Sequence, residues 1–230
     1  MNKSVKKTRM YDAEATRTRL LDAAEALFAD RGYNAVSVRE IARHAHVNLA
    51  AVGYHFGSKE NLFVESLMRQ MRPLNASRLA TLDALEARVV PPTLAEVLDA
   101  FSRVMVEAAI SEQTTGTRLH RNLSRAFAES DEIARIVFRK EMLPAAMRFL
   151  QAIRRASPEL SLPAATHGVA MFAGCLVHTL RWAVSPPFPE LLAGVIPDAN
   201  TLIASLVAFG EAGFHKLAEV KSPKKGRRKK

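Results

Sequence analysis

The chain has 230 residues with 33 Lys and Arg against 23 Asp and Glu, a formal net charge of +10; 48% of its residues are hydrophobic and 24% charged. This is an ordinary globular balance, with length enough for one large or two modest cores. No apolar run reaches the ~18 residues of a membrane span, the basic N-terminus is not followed by the apolar stretch of a secretion signal, and the single cysteine, Cys175, excludes an internal disulfide. The expectation is a soluble cytoplasmic protein with no membrane partner.

The charge is placed unevenly. Lys3, Lys6, Lys7 and Arg9 open the chain without an acid among them, and Lys221, Lys224, Lys225, Arg227, Arg228, Lys229 and Lys230 close it the same way. Removing those eleven charges from +10 leaves the body at −1. Basic flanks attract polyanions, nucleic acid above all, or act for solubility alone. Residues 1–12 and 221–230 are expected as disordered basic tails.

Apolar residues recur at three and four spacings and β-branched alternation is absent, which predicts an all-α chain of about nine helices. The first covers about residues 13–31, with Leu20, Leu21, Ala24, Leu27 and Phe28 on one stripe. It stops at Gly32, a left-handed C′ residue, with Tyr33 placed to pack back on the last turn. Ser37-Val38-Arg39-Glu40 is a capping box that opens the second helix. It ends near Ala45, and Asn48 caps a short third helix to about Phe56. Ser58 caps a long fourth helix, which carries Pro73.

Thr93 to Glu96 forms another capping box for a fifth helix. Two further helices are expected at about 117–129 and 131–155. Residues 157–163 break the chain, an unusually apolar helix spans about 164–185, and the last helix covers about 199–219. The tight His46-Val47 turn forces the third helix to cross the second steeply. Ile41, Ala42, Val47 and Val52 pack the crossing, Ala45 permits close approach, and Leu21, Ala24 and Phe28 supply the third wall. That is a helix-turn-helix whose second short helix enters a DNA major groove.

The stretch LLDAAEALFADRGYNAVSVREIARHAHVNLAAVGYHFGSKENLF resembles the N-terminal domain of the TetR family of transcriptional regulators. The matching features are the Leu-Phe-Ala-x-Arg-Gly-Tyr end of the first helix, Ser-Val-Arg-Glu-Ile-Ala, and Tyr-His-Phe-x-Ser-Lys-Glu. VNLAAVGYHFGSKE with PLNASRLATLDALEA also resembles the branch that includes fatty-acid and acyl-sensing members. The resemblance implies a DNA-binding domain at 13–60 and a helical effector-binding and dimerisation domain at 61–220.

Carried over by position, the resemblance implies that Ser37 and Asn48 cap helices and touch the phosphate backbone. Tyr54, His55 and Lys59 lie at phosphate-contacting positions, and Arg39 reaches the groove edge. Leu49, Ala50 and Gly53 form the base-facing side. That side has almost no hydrogen-bonding group: Leu49 and Ala50 can meet thymine methyls but make no bidentate bond to guanine or adenine. Specificity then falls to Arg39, to DNA shape, or to Lys6, Lys7 or Arg9 in the minor groove. The other reading is that Leu49 and Ala50 pack on the second helix.

The helix at 164–185 is apolar nearly all round, with small Ala165, Gly168, Ala173 and Gly174, and so must be buried on more than one side. With the last helix, whose stripe is Leu202, Leu206, Phe209, Gly213 and Leu217, it is expected to form a four-helix homodimer interface on a two-fold axis. The partners implied are a palindromic double-stranded operator and a small lipophilic effector, a fatty acid or acyl compound being one class. Phe101, Met105, Leu123, Phe127, Met142, Met147, Phe172 and Trp182 are candidates to line the effector pocket, with His178 or Asn122 as inward polar groups; plain core packing is the alternative for each.

No cofactor is expected. His44 and His46 splay around a helix end without a cysteine nearby, so no metal site is expected. Cys175 and His178 stand three apart on a helix, but so apolar a setting favours a buried small hydrophobe over a nucleophile, and no catalytic residue is assigned. The competing function is a sequence-tolerant architectural DNA-binding protein using both basic tails.

Overall fold

A computed structural model describes residues 3–110, 131–184 and 198–220, with side chains described for 12–110, 131–180 and 198–220. All secondary structure among these residues is helical. The helices are α1 (Lys3–Arg31), α2 (Val38–His44), α3 (Ala50–Phe56), α4 (Lys59–Glu86), α5 (Leu94–Ile110), α6 (Asp131–Val137), α7 (Leu143–Ala156), α8 (Leu162–Val184) and α9 (Ala199–Glu219). A π-helical turn, Phe138–Met142, links α6 to α7.

The expected starts and stops are set by local chemistry. Gly32 takes φ 84° and its amide closes on Phe28 O at 2.9 Å, ending α1. Ser37 caps α2 through a capping box in which its hydroxyl accepts from the Glu40 amide at 3.2 Å and Glu40 accepts from the Ser37 amide at 2.8 Å. Thr93 and Glu96 repeat the device ahead of α5. Asp198, which the sequence reading passed over, caps α9 by accepting from the Asn200 and Thr201 amides.

Three boundaries differ from expectation. α1 begins at Lys3 rather than near residue 13, because residues 3–12 hold neither glycine nor proline and are rich in helix formers. α8 begins at Leu162, with Pro163 in its first turn, where a missing amide costs no bond. The stretch expected as one helix from 131 widens into the π turn just before Leu143-Pro144. Pro144 lacks an N–H and its ring would clash with the carbonyl four residues back in a regular helix, which the wider turn relieves. The helix expected at 117–129 lies outside the described residues.

The described residues fall into two compact units. One holds the chain to Pro73 together with 131–142; the other holds Leu74–Ile110, 143–184 and 198–220. The first unit is built on Leu20, Leu21, Phe28, Ile41, Val52, Phe56, Phe63 and Leu67, closed by Ile133 and Val137. Arg69 fastens α4 to α1 through Glu25 at 2.7 Å and Asp22 at 2.6 Å.

The second unit packs α5, α7, α8 and α9 with the end of α4 around Leu98, Phe101, Phe149, Ile153, Phe172, Leu206 and Phe214. Its closest crossing is reciprocal. A Cβ added to Gly168 of α8 would lie 2.2 Å from the Phe214 ring of α9, and one added to Gly210 of α9 would lie 2.5 Å from the Phe172 ring of α8. Each helix thus carries Gly and Phe four residues apart, and each ring occupies the other helix's glycine.

Gly168→Ala is therefore expected to cost about 1–3 kcal/mol by overpacking, read as a lowered urea midpoint. Phe214→Leu in the same chain should recover part of that loss. Strict additivity of the two changes would show that ring and glycine do not meet.

Candidate nucleic-acid interface

α3 has seven residues, and its orientation is fixed by two of them: Val52 is 1% exposed and Phe56 6%. With those turned inward, Leu49 (43% exposed), Ala50, Gly53 and Tyr54 (81%) face outward. The alternative that Leu49 and Ala50 pack on α2 does not hold; their side of α3 is open. A Cβ added to Gly53 would meet nothing within 4 Å.

The turn before α3 is tighter than a glycine-free sequence announces. His46 adopts φ 53°, a left-handed conformation in which histidine is several-fold enriched among non-glycine residues. The Val47 amide then reaches back to Ala42 O at 3.0 Å. Asn48 Oδ1 accepts from the Ala50 amide at 2.8 Å, capping the chain as it enters α3. His44 and His46 are both exposed, and no cluster of metal-ligating side chains occurs among the described residues.

The remaining candidates flank this row. Ser37 and Arg39 are exposed at the start of α2. Tyr54 meets the half-buried His55 edge-on at 4.9 Å. His55 in turn borders a groove of about 440 Å³ shared with Arg17, Asn61, Glu65 and Lys140. Lys59 Nζ lies 4.2 Å from the Tyr33 ring centre, and Tyr33 stacks on Phe63 and leans on Phe28. Lys6, Lys7 and Arg9 lie on the first turns of α1, but their side chains fall outside the described residues.

Arg31 was not singled out from sequence, yet it joins the end of α1 to α2 by donating to Glu40 at 2.8 Å. The Arg31 hydrogen bond and those from Ser37 hold the Glu40 carboxyl down at about 2. The signal was a basic residue in the last turn of α1, indistinguishable in sequence from a solvated one.

This geometry, an exposed row on a short helix pinned against a steep crossing, agrees with what known proteins show. Residues 20–65 match the model of the bacterial regulatory proteins of the tetR family, and residues 99–213, half of the chain, match the tetracyclin repressor-like C-terminal domain. The chain belongs to the TetR family.

It is 40% identical over 91 residues to the transcriptional repressor KstR2 of Rhodococcus jostii, a match covering 36% of this chain and 44% of that relative. The chain thus spans less than half the length of that curated relative. Two solved structures share its fold. SmeT, the repressor of the Stenotrophomonas maltophilia multidrug efflux pump SmeDEF, superposes with TM-score 0.62 at 23% identity, covering 87% of this chain and 91% of that one. The fatty acid degradation regulator FadR of Bacillus halodurans superposes with TM-score 0.62 at 15% identity, covering 84% and 93%. This TetR-family chain carries its helix-turn-helix in α2 and α3.

The residues expected at an effector pocket divide. Phe101 and Phe172 are buried and touch, with ring centres 5.5 Å apart, and Phe101 also meets Phe149 at 4.9 Å. Met105 packs partly buried against them. Met147 is 47% exposed, so it lines no interior there; α7 buries Phe149 and Leu150 instead. His178 is exposed, on an open groove of about 710 Å³ along α8 and α9 with Met171, Gly174, Cys175, Ser205 and Phe209; it does not turn inward. Met142 is half-buried in the first unit. Leu123, Phe127, Asn122 and the Trp182 side chain lie outside the described residues.

The Glu40 contacts predict a pH signature. A depressed folded-state pKa contributes stability that is present above the ordinary carboxyl value of 4.5 and is lost as pH falls toward about 2. The gap in urea midpoint between the native chain and Glu40→Gln should be widest above that window and close within it. A gap that does not change with pH would show that the carboxylate charge is not what secures α2.

Proposed function

We propose that the protein is a homodimeric repressor that reads a palindromic operator through α3 and is released by a small lipophilic effector bound in its second unit. The observation that carries the reading is the outward row of α3 in a chain of this family. Leu49 and Ala50 meet thymine methyls, the absent side chain at Gly53 lets the backbone approach the duplex, and Arg39 reaches the groove edge. Ser37, Asn48, Tyr54, His55 and Lys59 hold the phosphates on either side.

The face of α8 and α9 supports a two-fold assembly. Met171 (62% exposed) and Phe209 (67%) stand in the open, and Gly174 and Gly213 have nothing within 4 Å of an added Cβ. Large apolar side chains beside bare glycines suit close helix pairing with a second copy. In a dimer the two copies of α3 then lie about one DNA turn apart, ~34–36 Å, or a multiple of it. KstR2 and SmeT are both repressors by name, which favours repression, and the FadR likeness favours an acyl class of effector. α4 runs from one unit into the other with Pro73 at the division, and it is the hinge through which an effector alters that spacing.

Selection of genomic DNA on the purified protein at near-physiological salt is expected to return one palindrome. Lys59→Ala should weaken binding to all sequences alike and lower the salt slope by roughly one, whereas Arg39→Ala should relax preference at one position. Broad enrichment without a motif, with a steep salt dependence, would instead identify an architectural DNA-binding protein.

Met171→Glu with Phe209→Glu is expected to give monomers by sedimentation and to abolish binding to the full palindrome. A dimer that survives both charges would place the two-fold elsewhere.

A further inference from the structure

The second unit contains a buried cation that pairs with no carboxylate among the described residues. Arg78, on α4, is 7% exposed. Its Nη1 donates to Asn75 Oδ1 at 3.0 Å, and Nε, fully enclosed, has no hydrogen-bond partner. The guanidinium carbon lies 4.4 Å from the ring centre of Phe101 and 5.2 Å from that of Phe149. No carboxylate pairs with it among the described residues. By contrast, Arg148 and Arg155 of α7 pair with Asp83 and Glu86 of α4, and Arg103 pairs with Asp99 and Glu107 of its own helix.

Interiors do not hold unpaired charge cheaply. An arginine that is buried is normally matched by a carboxylate or phosphate, since desolvation otherwise goes uncompensated. Here the desolvation is heavy enough to pull the guanidinium down to about 10. The two rings recover part of it as cation–π contact, but they satisfy no N–H. The edge left over is the one formed by Nε and Nη2, whose N–H bonds run parallel and match two oxygens of one planar anion.

We propose that Arg78 is the anion receptor of this unit and takes the carboxylate of an apolar organic acid side-on, with Phe101 and Phe149 bounding the acid's first carbons. The assignment rests on the reading of the second unit as the effector-binding one and narrows the effector from a lipophile to a carboxylic acid. A phosphate ester fits less well. It brings two charges and a tetrahedral face to a single planar donor pair in apolar surroundings.

The test compares sodium dodecanoate with dodecan-1-ol, which share a chain and differ in the head group, by calorimetry on the full-length protein. The acid is expected to bind at least roughly tenfold more tightly. Arg78→Met is expected to bring the acid down to the alcohol's affinity while leaving the alcohol unchanged. The variant is expected to fold, because it replaces an uncompensated charge by an apolar side chain of similar length. Should it not fold, Arg78→Lys decides: it keeps the charge but loses the paired edge, and the preference for the acid should fall several-fold.

Equal binding of acid and alcohol, an undiminished preference in either variant, or no binding by any straight-chain acid from butanoate to hexadecanoate would overturn the proposal. Release of the selected operator DNA, measured alongside, separates it from the reading on which it rests. Acid that binds through Arg78 without releasing DNA upholds the receptor and ends the effector reading. Release by acid and alcohol alike upholds the effector and ends the receptor.

Discussion

A helix of two turns has no stability of its own in water, where even favourable sequences need twelve or more residues to form. α3 has seven. It exists because Val52 and Phe56, four residues apart and therefore on one side, are taken into the core of Phe28, Ile41 and Phe63. Burying that pair fixes the rotation of the helix about its axis, and so decides which side chains point away. The exposed row is thus a product of the core, and a change that loosened Phe56 would misaim Leu49 and Tyr54 without touching either. The entry is equally constrained: His46 in the left-handed region and the Asn48 cap set where the first exposed amides point.

The second unit solves a different problem, since α8 is apolar nearly all round and must choose which side to bury inside the subunit. The choice is made by glycine. Where Gly168 and Gly210 face a partner ring, the helices approach until Phe214 and Phe172 fill the missing Cβ positions. Where Gly174 faces away, the same absence leaves a shallow floor between Met171 and His178. One residue type thus serves two packings, and only the phase of the helix tells them apart. With the inner side fixed by ring-in-glycine contact, the outer side is committed as a continuous apolar groove.

That distinction explains what could be read in the sequence. Ser37 with Glu40, Thr93 with Glu96 and the Gly32 stop are decided by neighbours within a few residues, and the structure holds them as the spacing requires. α3 was also legible, because Asn48 marks its entry and the Tyr-His-Phe-x-Ser-Lys-Glu stretch its end. α8 carries no such marks for its inner and outer sides. His178 was expected as an inward polar group and is exposed, on the groove along α8 and α9. Met147 failed for a related reason: α7 has one strongly apolar side, carried by Phe149 and Ile153, and Met147 is not on it. The positive φ of His46 was invisible, since it answers a tertiary demand that no local motif announces, whereas the π turn had a local signal in Pro144.

Arg78 was invisible for the opposite reason. On a long helix rich in polar residues it reads as one more solvated cation, and only its burial between Phe101 and Phe149 shows otherwise. Its position gives that burial a consequence. α4 continues from Arg78 through Pro73 into the unit that holds α3, so any free energy released at the guanidinium is released on a helix that unit also contains. A ligand moves a conformational equilibrium only by the difference in its affinity for the two states. A buried cation supplies such a difference readily, because the strength of an ion pair varies steeply with how far water is excluded from it. A state that closes Phe101 and Phe149 over the paired carboxylate binds it more tightly than one that leaves it wet.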